Sequence, residues 1–215
     1  MVHQELADLP YADALRAYGG PWAPDETYDG IHVDGDTVTD LAAANARFLE
    51  CAFTQATFDG GTLRRARLHE VWLREVRFVA TDLAESEWMD ATFLGGVLAG
   101  AQAHTAQLRR VVFQDGKLDS VNFRSAALTD VRFQDCVLRG VDFSGAELTR
   151  VSFPGCRLSD VDLTNVTLAK VDLRGAELDI TGDSGSLRGA IISTAQLLDL
   201  APFLAQSLGI TVKDD

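Results

Sequence analysis

The chain has 215 residues, 47% of them hydrophobic, and a formal charge of −13, which suits one soluble domain with a substantial core and excludes a disordered or fibrous chain. Its first twenty residues carry acidic groups where a secretory signal needs a basic and then an apolar region, and no stretch approaches 18 uninterrupted apolar residues. A cytoplasmic protein with no membrane association is therefore expected, and the negative charge disfavours direct binding of nucleic acid.

Residues 1–30 read as an N-terminal extension and cap. Leu6, Leu9, Tyr11, Leu15, Tyr18 and Trp22 supply apolar groups that could dock on the first coil or along a wall of the repeat region that follows, with a short helix around residues 11–18. GGPWAPDE reads as turns and extended chain.

From Phe48 onward every fifth residue through Leu178 is Leu, Phe or Trp, with Ala103 the sole small one. Two residues before each lies a small or β-branched residue, as in Ala46, Cys51, Val71, Val121, Val141 and Val161, and the remaining three positions of each five are mostly polar. A gap of two puts both side chains on one side of an extended segment. A gap of three keeps the next one inward only if the chain turns a corner. Five residues thus make one wall and one corner, and walls stacked coil on coil bury the Leu/Phe residues as ladders while each coil's backbone bonds to the next. The pattern predicts a β-solenoid over residues 31–192, entered through Ile31 and Val33, irregular at Asp36 and Ala43, and slipping out of register across 181–186.

The pentapeptides VDFSG (141–145), VDLTN (161–165) and VDLRG (171–175) resemble the A(D/N)LXX repeat of the pentapeptide-repeat family. The resemblance covers at least residues 46–180. It implies an all-β solenoid in which four repeats close one square coil, a right-handed quadrilateral parallel β-helix of about seven coils and about 35 Å.

Exceptions to the repeat read as structural. Trp88 in a Leu/Phe slot is offset by Ala103 in the same coil, a volume compensation favoured over a ligand cavity near Ala103, His104, Gly95 and Gly96. Cys51, Cys136 and Cys156 all take the small inward slot and are expected to be buried free thiols, although Cys136 and Cys156 stack closely enough for a disulfide. The histidines His3, His32, His69 and His104 are scattered, no cysteine pair has metal-ligand spacing, and no phosphate loop or nucleophile elbow occurs. Asp142, Asp162 and Asp172 belong to the repeat and are expected to hydrogen-bond near corners. No enzymatic activity, metal or cofactor is expected.

Residues 193–215 read as a C-terminal helix and short strand. Ser193 and Gln196 form a capping-box pattern, Leu197, Leu200, Ala201, Leu204 and Leu208 trace an apolar stripe bordered by Leu198 and Phe203, and Gly209 ends it. Pro202 is expected to kink or split the helix. This ending, with an apolar strand at residues 210–212, resembles that of the loopless mycobacterial gyrase-inhibiting members of the family, which implies a homodimer through Leu197, Leu200, Ala201, Phe203, Leu204 and Leu208. The alternative is a monomer whose helix only seals the rod.

Family members that inhibit DNA gyrase or protect it from quinolones are usually explained as acidic rods that imitate duplex DNA. Here residues 1–45 carry nine acids and one base, whereas residues 46–180 carry nineteen acids and sixteen bases. Sorted onto four walls, the repeat region is mixed: the wall with Glu50, Glu70, Glu87, Asp90, Asp130 and Glu147 also carries Arg47, Arg67, Arg109, Arg110, Arg150 and Lys170. Phosphate mimicry needs charge of one sign. Asp82, Glu85, Glu87 and Asp90 form the best candidate acidic patch. The resemblance implies an interaction protein with DNA gyrase as partner; the alternative is a scaffold for another cytosolic protein, contacted through outward apolar residues Trp72, Val79, Leu94, Val97, Val112 and Val137.

Overall fold

The computed structural model describes residues 5–182 and 185–213. The chain coils upward as parallel strands, each paired with the strand twenty residues on: Phe48 pairs with Leu68, Phe93 with Phe113, and Leu118 with Leu138. Three walls are continuous sheets, two of them eight strands deep and one seven. The fourth is a column of single bridges through Thr62, Asp82, Gln102, Asn122, Asp142 and Asp162. The expected ladder residues are all buried except Leu178, which is half-buried.

The corners explain the period of five. Residues two beyond each ladder position from Phe48 to Leu173 take left-handed backbone, for example Glu50 (φ 49), Glu70 (φ 54), Asp90 (φ 56), Asp130 (φ 57) and Asn165 (φ 56). That conformation costs an L-residue about 1 kcal/mol, and it is held here because the inward side chains on both flanks are buried. Stacked coils also align identical groups. Phe113, Phe133 and Phe153 stack with ring centroids 4.8 and 5.0 Å apart, and Phe123 lies 5.3 Å from Phe143.

The repeat aspartates do what repetition requires of them. Asp142, Asp162 and Asp172 each accept a hydrogen bond through Oδ1 from the backbone N–H two residues on, at 2.8, 2.8 and 3.1 Å. These are Asx turns that shape the corner.

The first coil begins earlier than residue 31. Four strands open the structure: β1 (Arg16–Ala17), β2 (Thr27–Asp29), β3 (Ile31–Asp34) and β4 (Thr37–Ala42). β2 already pairs with the next coil, and Tyr28 fills the ladder slot beneath Phe48. The expected helix over 11–18 is instead a 3-10 turn, Ala12–Ala14, followed by β1, which pairs with β3. Trp22 plugs the N-terminal end, its ring 4.9 to 6.4 Å from those of Tyr18, Tyr28, Phe48, Phe53 and Phe58.

At the other end Ile180 pairs with Val161, and Ala190 with Val171. The register therefore loses one residue between Leu178 and Ile180, just before the expected slip at 181–186, of which Asp183 and Ser184 lie outside the described residues. Helix α1 (Thr194–Ser207) then closes the end. Its capping box is formed: the Gln196 N–H donates to Ser193 Oγ (3.2 Å) and the Ser193 N–H to Gln196 Oε1 (2.9 Å). α1 runs unbroken through Pro202, contrary to the expected split. Gln196, Leu200, Phe203 and Leu204 hold the helix on the rod from both sides of the proline, so docking outweighs the one lost backbone bond. Nor do residues 210–212 form a strand; they are exposed and irregular.

Gln196 does more than cap. Its buried Nε2 donates to the carbonyls of Leu173 (2.6 Å) and Ala176 (2.8 Å) in the last complete coil. Gln196→Ala is expected to remove both of these bonds, leaving the Leu173 carbonyl only the Ala176 N–H (3.2 Å), and to lower stability by about 2 kcal/mol, read as a drop in melting temperature. A loss under about 0.5 kcal/mol would show that α1 does not seal the end.

Candidate protein-interaction surfaces

The rod offers a partner its flat walls, its two ends and the segments laid over them. Charge on the walls is locally balanced, because a twenty-residue coil brings an acid beside an arginine one coil away. Arg110 forms a two-pronged pair with Asp90 (both 2.6 Å), Arg150 with Asp130 (2.6 and 2.8 Å), and Arg157 bonds Glu177 (2.7 Å). Arg139 pairs with Asp119 in the same way.

The candidate acidic patch lies within this pattern. Asp82 is on the bridge wall, Glu85 at the next corner, Glu87 on the adjoining sheet and Asp90 at the corner beyond, so the four wrap around the rod instead of sharing one face. Each has a basic neighbour. Arg64 reaches both Asp82 (3.8 Å) and Glu85, Arg67 reaches Glu87 (3.6 Å) with His69 3.7 Å from the same carboxylate, and Arg110 holds Asp90. The hydrogen bond from Arg110 keeps the Asp90 carboxyl below the usual range. Such exposed pairs add little stability each, but they cancel the field that phosphate imitation requires.

Acids outside these pairs occur along the whole rod, for example Glu70, Asp115, Asp135 and Asp160, and include a group near the N-terminal end. Asp34, Asp36, Asp40 and Asp59 are exposed and, among the described residues, none is in an ion pair.

Two of the outward apolar residues are not a free surface. Trp72 (1% exposed) and Leu94 (6%) are covered by the N-terminal segment, whose Leu6, Leu9, Tyr11, Ala12 and Leu15 pack on them and on Ala52. The Tyr11 hydroxyl donates to the Glu70 carbonyl (2.6 Å), and Glu5 pairs with Arg74. The extension is thus a strap along one wall as well as a plug at the end. Val79, Val97 and Val112 are half-buried and Val137 is exposed.

The C-terminal surface divides the expected dimer contacts. Leu200 is buried on the rod, and Phe203 and Leu204 are half-buried against it, whereas Leu197, Ala201 and Leu208 face outward. Leu198 (70% exposed), Ile210 (57%) and Val212 (73%) extend the exposed apolar area.

Enclosed space is minimal. The void between Trp88 and Ala103 measures about 10 Å³, so the tryptophan fills what the alanine leaves, and its Nε1 donates to Ser86 Oγ (3.0 Å). The larger concavities are open grooves, including one of about 410 Å³ beside Tyr11, Trp72 and Arg110. All three cysteines are buried and unbridged. Burial pushes the Cys51 thiol up to about 11; the contact between Cys136 and Cys156 raises Cys136 and lowers Cys156. All three are sealed from solvent in the small inward slot and pack there. Among the described residues no helix is long and apolar enough to cross a membrane, and no group of three His, Cys, Asp or Glu side chains could hold a metal ion.

The family model of the pentapeptide repeat region matches three overlapping segments, residues 44–123, 86–163 and 107–182. The chain belongs to the pentapeptide-repeat family. Among solved structures, a trypsin-treated variant of QnrB1, a plasmid-mediated fluoroquinolone resistance protein, is 18% identical, with 90% of this chain and 98% of that one covered at a TM-score of 0.67. Full-length QnrB1, also 18% identical, aligns over 91% of this chain and all of its own at a TM-score of 0.52. The sequence matches no curated protein. At this identity the likeness establishes the fold: this pentapeptide-repeat protein is a right-handed quadrilateral β-helix closed by one C-terminal helix.

Proposed function

We propose that this pentapeptide-repeat protein is a non-enzymatic interaction protein that engages DNA gyrase through its rod and lowers gyrase's sensitivity to topoisomerase inhibitors. The observation that carries this reading is the alignment of nine-tenths of the chain on QnrB1, a fluoroquinolone resistance protein. The rod itself supports contact with a protein, because its walls are flat, rigid and studded with paired charges. A pre-ordered surface of that kind binds without an ordering cost. Surface plasmon resonance on immobilised gyrase tests it: saturable binding at low micromolar protein is expected, and its absence at tens of micromolar contradicts it.

The ion pairs on the walls favour a second reading, a scaffold for another cytosolic protein. A neutralised wall has no particular affinity for a surface that evolved to hold DNA. Under this reading gyrase does not bind and a different partner is recovered on the immobilised rod.

We further propose that two copies pair through α1, supported by the exposed Leu197, Leu198 and Leu208 on a helix already anchored by Leu200. The double variant Leu197→Asp with Leu208→Asp is expected to convert a dimer to a monomer in light scattering while the melting temperature of the rod stays within about 2 °C. An unchanged mass, whether monomeric or dimeric before substitution, contradicts this pairing.

A further inference from the structure

Both ends of a solenoid expose unpaired strand edges, and proteins normally cover them. Here most edges are covered. β3 is extended by β1, the Arg16 side chain reaches the Asp29 carbonyl at the edge of β2 (2.9 Å), and α1 lies over the last coil. β4 is different. It is the terminal strand of its eight-stranded sheet, and nothing among the described residues pairs with its outer side.

The register says which groups are left open. The Thr57 N–H donates to the Asp36 carbonyl, so by the alternation of a parallel ladder the main-chain N–H and C=O of Thr37 and Thr39 point away from the rod. Both residues are exposed. Around them stand the four unpaired acids already described, Asp34, Asp36, Asp40 and Asp59, the last beside Thr39 in the pairing register.

We propose that β4 is a docking strand for an extended Lys- or Arg-rich segment of a partner protein, which adds to its open edge as a further parallel or antiparallel strand. Backbone hydrogen bonds to Thr37 and Thr39 supply the attachment, and the flanking carboxylates select a basic sequence. A second copy of this chain is disfavoured at that edge, since it would bring two sets of the same acids together, and phosphate backbones are repelled for the same reason. This site is separate from the walls and from α1, and it holds whether or not gyrase is the protein the walls engage.

The opposing account gives these acids only a gatekeeper role, keeping an open edge from aggregating. Two blocked peptides separate the accounts, one alternating Lys and Thr, the other of the same sequence with every main-chain amide N-methylated, which keeps the charge but removes the donors needed to pair along either edge. Each is titrated into the full-length ¹⁵N-labelled protein and followed by amide NMR. The Lys-Thr peptide is expected to shift the Thr37 and Thr39 amides and slow their hydrogen exchange about tenfold or more, with binding about fivefold weaker when salt is raised from about 0.05 to about 0.3 M. The N-methylated peptide is expected to leave exchange unchanged. Thr39→Pro, tolerable at an edge position whose N–H faces solvent, should abolish protection while the melting curve confirms folding. Equal effects from the two peptides, or no change at Thr37 and Thr39, would overturn the proposal.

Discussion

Phe133→Ala is expected to lower the stability of the rod by about 4 kcal/mol. The side chain is fully buried and lies in the middle of an aromatic column, its ring 4.8 Å from Phe113 at 7° and 5.0 Å from Phe153 at 4°. Removing it deletes two stacking contacts and leaves a hole that cannot collapse, because each neighbouring coil is pinned at its own corners by left-handed residues such as Arg110, Asp115 and Arg150. In a quasi-one-dimensional structure the damage also falls on the coupling between coils. Chemical denaturation followed by circular dichroism is expected to show an earlier midpoint and a broader or split transition. A loss below about 1 kcal/mol would mean that the column adjusts freely and that the ladders are not what holds the coils in register.

Gly96→Ala is expected to cost about 3 kcal/mol, although alanine or a β-branched residue fills the same small inward slot in most coils. An added Cβ at 96 would lie 2.4 Å from Phe93 Cζ and 2.5 Å from the Val76 carbonyl oxygen. The second of these is backbone and cannot swing aside. Phe93 is already tilted 53° against Phe113 in the coil that holds Trp88, so its ring occupies the space a side chain at 96 would use. Gly116, one coil up in the same column, is the control. There an added Cβ would meet nothing closer than 3.6 Å, and Gly116→Ala is expected to be neutral or stabilising by up to about 1 kcal/mol. Similar losses for both would place the cost in the backbone rather than in Phe93.

The rod was legible in the sequence because its signal repeats. A five-residue period sustained from Phe48 to Leu178 fixes walls, corners and core, and the pairing of Trp88 with Ala103 follows from volume alone. The corner residues were equally readable as a run rich in Gly, Asp, Asn and Ser at every fifth position, the types that tolerate left-handed backbone. The wall ion pairs were within reach too, since Arg110 and Asp90 are twenty residues apart, one coil by the expected geometry. What stayed hidden was contact without a period. The apolar N-terminal residues were legible as docking on the first coil or along a wall, but nothing local ties Leu9 and Tyr11 to Trp72 in particular. The same holds for Gln196, whose capping box was visible but whose second pair of bonds reaches back to Leu173 and Ala176. Pro202 misled because helix propensity was weighed without the rod surface against which α1 packs.

The charge that invites a DNA-mimic reading is thus distributed in a way that does not favour it along the walls, while the fold is one that QnrB1 shares. Function separates these. The decisive measurement is a supercoiling assay with gyrase from the protein's own source, with and without a fluoroquinolone, as the purified rod is titrated in. Inhibition of supercoiling, or rescue of supercoiling from the drug, at low micromolar protein is the result expected if the rod engages gyrase. Unaltered supercoiling and unaltered drug sensitivity at tens of micromolar would contradict the gyrase reading and leave the scaffold.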